Sequence, residues 1–232
     1  MIRLGVPSKG RLMQDCFAWF AARGVTLRQT GEGREYAGTA DVPGVALVLM
    51  SAGDMPAALA AGTLHLGVTG TDLVRDRLPD WSAAVAEVAP MGFGRADLVI
   101  AVPAAWIDVD TLDDLDAAAA AFRAAHGMRL RIATKYHRLV RDHLTAAGVA
   151  DYALVDSQGA TEGAVRYGTA EAIADITSSG ETLRDNHLKP LADGPILASE
   201  ATLWASRRAD WSGGAPTLAA LCGRLGVGVP GL

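Results

Sequence analysis

The chain has 232 residues, half of them hydrophobic and a fifth charged, enough to bury a core in one large or two modest domains without covalent staples. Its net charge is −5 with no basic run, which excludes the basic face of a nucleic-acid binder. No apolar run approaches the roughly 18 residues of a membrane span, the amino terminus lacks a signal-peptide core, and Cys16 and Cys222 form no CxxC pair; the expectation is a cytoplasmic protein without zinc or redox chemistry.

Short apolar runs alternate with helical patterns along the chain. Strands are expected at 2–6, 46–50, 64–68, 98–102, 130–133, 152–155, 173–176 and 196–204. Several are almost wholly apolar, as strands covered on both faces must be. Leu12, Cys16, Phe17 and Phe20 share one helical face that Gly24 closes, and Cys16 reads as a small core residue there. Leu112, Leu115, Ala119 and Phe122 share another, with Thr111 and Asp114 as a capping pair at its start. Leu139, Val140, His143 and Leu144 form a third, closed by Gly148. Such alternation implies an α/β fold with mainly parallel sheets. The pattern breaks at 90–94 and again after Ser179-Gly180. Two lobes are therefore expected: residues 1–94 with a return segment at 185–232, and an inserted lobe at 95–184. A cleft between them would be the usual place for a ligand.

Four clusters follow expected strands, at the ends where open α/β sheets bind ligands. After 173–176 come Thr177, Ser178, Ser179 and Gly180, then a helix opening with Glu181 and Thr182. A strand, a small-residue turn and a helix start aim N–H groups at one point, which suits a phosphate. Gly180 permits positive φ, and Glu181 should point away. The bland alternative is an ordinary turn capped by Ser and Thr. Asp175, just before the turn, suits a ribose diol or a metal-bound water, or else is a capping acid. After the first strand come Lys9, Gly10 and Arg11 at another helix start. Cations there oppose the macrodipole unless an anion is bound; otherwise they are solvated surface groups. Thr69-Gly70-Thr71-Asp72 reads as a site or as a helix capped by Thr71 or Asp72. Residues 131–138 end a strand and add Lys135, Tyr136 and His137. The chain has no GxxxxGK[ST] or GxSxG motif. His65 and His143 read as core or surface residues, not ligands.

Together and in this order, Lys9-Gly10-Arg11-Leu12, Asp54-Met55-Pro56, 66–73, Ala133-Thr134-Lys135-Tyr136, Gly159-Ala160-Thr161-Glu162 and the Asp175–Leu183 loop resemble the ATP phosphoribosyltransferase family. The resemblance covers nearly the whole chain to about residue 206. It implies two lobes of the periplasmic-binding-protein type and the condensation of ATP with 5-phosphoribosyl 1-diphosphate, the first step of histidine biosynthesis. Magnesium would travel with the substrates, with no direct protein ligand. The loop of Thr177, Ser178, Ser179, Gly180, Glu181 and Thr182 would bind the 5-phosphate, while Asp175 and Glu162 address ribose or magnesium. Lys9 and Arg11 would neutralise polyphosphate. Gly10, Asp72, Lys135 and Tyr136 would serve ATP, together with Arg34 and Arg95. Two positions depart from the family pattern: Ser51 and Asp97 stand where arginines are expected, with Arg95 two places before the second. The chain resembles the family's short form, which implies a homodimer of catalytic subunits joined to a regulatory subunit similar to histidyl-tRNA synthetase. A self-sufficient homodimer is the alternative to that assembly. The rival functions are a non-catalytic two-lobe protein that binds a solute or effector, and a phosphoribosyltransferase with another acceptor.

Overall fold

The computed structural model describes residues 1–30, 37–157 and 160–232. The chain divides into two compact units, Met1–Arg95 with Glu200–Leu232, and Ala96–Ser199. In chain order the first unit holds β1 (Ile2–Pro7), α1 (Gly10–Ala21), β2 (Leu27–Gln29), β3 (Ala37–Ala40), β4 (Val45–Met50), α2 (Met55–Ala60), β5 (Leu66–Gly70), α3 (Thr71–Arg77), α4 (Trp81–Ala84) and β6 (Val85–Pro90). The second holds β7 (Ala96–Pro103), α5 (Leu112–His126), β8 (Leu130–Thr134), α6 (His137–Ala146), β9 (Tyr152–Asp156), α7 (Gly163–Arg166), β10 (Ala172–Thr177), α8 (Glu181–Asp185), β11 (Leu188–Pro190) and β12 (Leu197–Ser199). β13 (Ala201–Ser206) and α9 (Ala215–Leu225) complete the first unit.

The first unit's sheet runs β2-β3-β4-β1-β5-β13-β6. Its centre, β4-β1-β5, is parallel, and the flanking pairs are antiparallel. β1 alternates into a core shared by Cys16 and Phe20 of α1 and by Leu218 and Leu221 of α9. Burial pushes the Cys16 thiol up to about 12, so it stays an uncharged packing group. A second cluster holds Met55 and Leu59 of α2, Val74 of α3 and Trp204 of β13. That contact depends on two glycines that are register partners, Gly5 and Gly67. A Cβ on Gly5 would stand 2.6 Å from the Met55 sulfur, and one on Gly67 would stand 2.9 Å from Met55 Cγ. Only bare backbone lets α2 approach this closely.

The second unit's sheet runs β11-β7-β10-β8-β9, with β12 also pairing with β7. β10, β8 and β9 are parallel, and β7 joins them antiparallel. Ala133 and Ile173 share a cluster with Leu183 of α8. Leu115 and Ala119 of α5 and Val140 and Leu144 of α6 are buried elsewhere in the unit. The expected cap on α5 is present: Thr111 Oγ1 accepts from the Asp114 N–H at 3.2 Å, and Asp114 accepts from the Thr111 N–H at 2.9 Å.

Two expectations are corrected. The apolar run 196–204 is two strands: β12 pairs with β7, whereas β13 inserts between β5 and β6 of the other sheet. The return to the first unit accordingly falls at Glu200 instead of 185, because β11 and β12 are held by β7.

His65 is a core residue. Its Nδ1 accepts from the Arg3 N–H at 3.3 Å, its Nε2 meets the Asp210 carbonyl at 3.1 Å, and its ring is edge-on to Trp211. Burial holds it below its ordinary value near 6.5, against the pull of that carbonyl. Burial likewise lowers His143, with Asp193 opposing. A depressed folded-state value makes the unfolded chain the better proton acceptor. The stability contribution is therefore whole above about pH 6.5 and is lost as pH falls through the window beneath it.

Two outcomes follow for stability. The urea midpoint should fall between pH 7 and 5.5, and His65→Gln/His143→Gln should flatten that slope; an unaltered slope would rule out these groups as its source. Gly5→Val should cost about 1–3 kcal/mol by overpacking, and adding Met55→Ala should recover part of the loss, as a double-mutant cycle by chemical denaturation would show.

Candidate active site

In the second unit, β10 carries Asp175 and Thr177 to the turn. Gly180 sits at φ 70° and begins α8. That left-handed conformation turns the chain from strand to helix. Its N–H donates to Thr177 Oγ1 at 3.0 Å, and the Glu181 N–H donates to Ser179 Oγ at 3.3 Å. Ser178, Ser179, Glu181 and Thr182 are exposed, while Leu183 anchors the helix in the core. The hydroxyls of Thr177 and Ser179 thus hold the loop's own backbone, and the alternative reading of a Ser/Thr-braced turn describes its resting geometry. Asp175 accepts from the Ile176 N–H at 2.8 Å through Oδ1.

Sequence reasoning missed two neighbours of this loop. Arg184 donates to the Ser179 carbonyl at 3.1 Å, placing a guanidinium at the turn. Its position in the first turns after Gly180 was the available signal. Asp97 is the register partner of Thr177 across β7 and β10. Directly opposed residues share a face, so this departure from the family pattern puts a carboxylate beside the start of the loop.

β8 ends at Thr134, whose Oγ1 accepts from the Tyr136 N–H at 2.9 Å and whose carbonyl accepts from the Ser157 N–H at 3.1 Å. Ser157 in turn donates to the buried Thr161 at 2.8 Å. Glu162 follows at the start of α7, on the wall of a cavity of about 580 Å³. Ala133 and Val155 line it on the strand side, with Asp156, Arg166 and Asn186 among its polar groups. Lys135 is exposed, whereas Tyr136 is only 7% exposed. Arg131 is not a site cation. It clamps Glu171 through Nε at 3.1 Å and Nη2 at 2.5 Å. Burial would raise Glu171, but the bonds from Arg131 hold its carboxyl below the ordinary range.

In the first unit, β1 delivers Lys9 as the N-cap of α1, in extended backbone and without a side-chain cap bond. Gly10 follows at φ 71°. Lys9 and Arg11 are exposed, and Arg11 pairs with Asp15 one turn on at 3.5 Å. β5 delivers α3, whose N-cap is Gly70, not Thr71 or Asp72. Thr71 instead donates its N–H to the Glu200 carbonyl at 3.2 Å. Asp72 is buried in the first turn, where the helix dipole favours a carboxylate. Glu200 also accepts from the Gly92 N–H at 2.8 Å and lies 4.0 Å from the exposed Arg95. Arg34 and Gly159 lie outside the described residues. Among the described residues no group of three or more His, Cys, Asp or Glu is arranged to hold a metal ion.

Solved structures define the class. The chain is similar to the ATP phosphoribosyl transferase (HisG:HisZ) complex from Thermotoga maritima, with TM-score 0.74 at 18% identity over 97% of both chains. It is also similar to a histidine kinase sensor domain resembling periplasmic binding proteins, with TM-score 0.53 at 14% identity over 97% of this chain and 89% of that one. These likenesses give the fold: α/β, of the periplasmic-binding-protein kind. Sequence gives the family. The ATP phosphoribosyltransferase family model matches residues 51–225. The ATP phosphoribosyltransferase of Cereibacter sphaeroides is 71% identical over 99% of this chain and 98% of its own length. That of Rhodopseudomonas palustris is 53% identical over 90% of this chain and 65% of its own, so this chain spans about two thirds of the longer relatives it matches. The chain belongs to the ATP phosphoribosyltransferase family.

Proposed function

We propose that this chain condenses ATP with 5-phosphoribosyl 1-diphosphate, giving N1-(5-phosphoribosyl)-ATP and diphosphate at the head of histidine biosynthesis, and that the strand-end loops carry the substrates. Family membership supports the reaction and disfavours the non-catalytic binding protein. The observation that carries the site is the Gly180 turn, where a left-handed glycine, a helix start and exposed hydroxyls come together.

In this reading, Thr177, Ser178, Ser179, Gly180 and Thr182 receive the 5-phosphate, with Glu181 turned outward. Arg184 adds positive charge there. Asp175 and Glu162 address the ribose hydroxyls or water on magnesium. Lys9, Gly10 and Arg11 meet polyphosphate, and Asp72, Arg95 and Lys135 serve ATP. Tyr136 acts by supporting its turn. Single carboxylates suit a cation that arrives with the diphosphate, and magnesium so bound would supply charge against the leaving group.

The chemistry asks little of acids or bases. N1 of adenine is already neutral and nucleophilic at pH 7. Its lone pair forms the bond to the anomeric carbon while the bond from that carbon to the diphosphate oxygen breaks, and the electron pair leaves with diphosphate. Alignment of two polyanions and compensation of the growing negative charge are the protein's work. Both substrates are cytoplasmic metabolites, and we place the enzyme there. We further assign it a homodimeric core and a regulatory subunit similar to histidyl-tRNA synthetase that brings histidine feedback. The similarity to the HisG:HisZ complex supports that partner.

Incubation with ATP, labelled phosphoribosyl diphosphate and Mg²⁺ should release diphosphate, and histidine should inhibit once the regulatory subunit is added. Absence of release with and without that subunit would end the enzymatic reading. Gly180→Val should weaken phosphoribosyl diphosphate binding at least tenfold by calorimetry while circular dichroism stays native; unchanged affinity would remove the phosphate from this loop.

A further inference from the structure

Edge strands expose backbone N–H and C=O groups and invite pairing unless something blunts them. Among the described residues, most terminal strands of the two sheets are blunted. β2 is three residues long and carries Arg28. β6 carries Glu87 and ends in Pro90, beside a register shift against β13. β11 is Leu-Lys-Pro, and β12 has only three residues. β9 is the exception. Tyr152-Ala153-Leu154-Val155-Asp156 pairs with β8 in unbroken register over its whole length, with no proline, lysine or bulge.

The direction of its free groups follows from alternation. The Asp151 carbonyl accepts from Leu130 at 3.0 Å, and the Ser157 N–H donates to Thr134 at 3.1 Å. Odd-numbered residues therefore face β8, and the N–H and C=O of Tyr152 and Leu154 face away from it. Alongside lies a recess of about 400 Å³ lined by Arg129, Arg141, Thr145, Tyr152 and Leu154. Three other arginines of this unit have carboxylate partners: Arg123 with Asp151, Arg131 with Glu171, Arg138 with Asp142. Arg129 and Arg141 form none of the described ion pairs or side-chain hydrogen bonds. Two cations outside the described ion pairs thus stand together beside the β9 edge, in a chain whose net charge is −5.

We propose that the outer edge of β9 is a docking site for an extended acidic segment of a partner protein, which adds a strand to the sheet and places its carboxylates against Arg129 and Arg141. Backbone pairing supplies affinity, and the arginines supply the preference for acid. The recess opens beside the amino-terminal half of β9, whereas the loops assigned to the substrates follow strand carboxyl ends, so occupancy and turnover are separable.

The test uses the full chain and two labelled peptides, acetyl-EVTVEVE-amide and its lysine counterpart acetyl-KVTVKVK-amide. Fluorescence anisotropy should show the acidic peptide binding at least tenfold more tightly. Hydrogen exchange should show the Tyr152 and Leu154 amides protected when it binds. R129E/R141E should reverse the preference. Leu154→Pro should abolish binding of both peptides while leaving diphosphate release unchanged, because proline removes an outward N–H and no bond to β8. Equal affinity for the two peptides, no binding of either at millimolar concentration, or protection confined to other strands would each overturn the proposal. Should Leu154→Pro fail to fold, the charge-reversed variant decides alone.

Discussion

Parallel pairing at the middle of each sheet is the constraint on which the rest depends. β4, β1 and β5 run the same way in one unit, and β10, β8 and β9 do so in the other. Their carboxyl ends must therefore fall at one end of each sheet. The loops that follow these strands inherit that placement: Lys9 after β1, Asp72 after β5, Lys135 after β8 and Gly180 after β10. The strands hold their register through apolar side chains buried on both faces, so the hydrophobic core and the positions of the polar loops are set by the same pairing.

This explains why the centre of the fold was legible in the sequence and its margins were not. β1, β8 and β10 are nearly continuous apolar runs, and burial on two faces is the only setting that tolerates them. β2 and β3 are short, mostly exposed and held by antiparallel neighbours, so nothing in their composition separates them from loop. The run at 196–204 reads as a single strand because apolar residues flank the brief polar step Ser199-Glu200 on both sides. What divides it is Glu200, whose backbone and carboxylate tie the Thr71 and Gly92 segments while the strands on either side join different sheets. Hydrophobic pattern reports burial, and it says little about which partner provides it.

The candidate site shows the same division. Gly180 could be singled out because a positive φ at a strand-to-helix turn restricts the residue type. Ser51 and Asp97 could be recognised as departures from a pattern, but where Asp97 points depends on cross-strand register. Opposite Thr177, it lies beside the turn that ends in Gly180. Arg131 shows what charge alone does not tell: a cation beside a candidate cluster is engaged by Glu171, forty residues later in sequence and adjacent in space. The backbone bond from Ser157 to Thr134 and the hydroxyl bond from Ser157 to Thr161 join two strand ends in the same way, and no local motif announces them.

An acidic protein that handles two polyanions must concentrate its positive charge locally. Arg184 is fixed to the Ser179 carbonyl beside the loop, so its charge is placed before any substrate arrives. Lys9 and Arg11 are exposed at the start of a helix whose first turn has no acid, where the dipole already favours an anion. Asp97 works against such a site and Arg184 works for it, within a few residues of the same turn. The Gly180 and Glu181 N–H groups are held by the Thr177 and Ser179 hydroxyls, so the tethered Arg184 guanidinium is the cation with a backbone anchor at this turn. A donor fixed in this way would need little reorganisation were a phosphate to dock there. That suits a reaction in which the nucleophile needs no activation and positioning carries the catalytic burden.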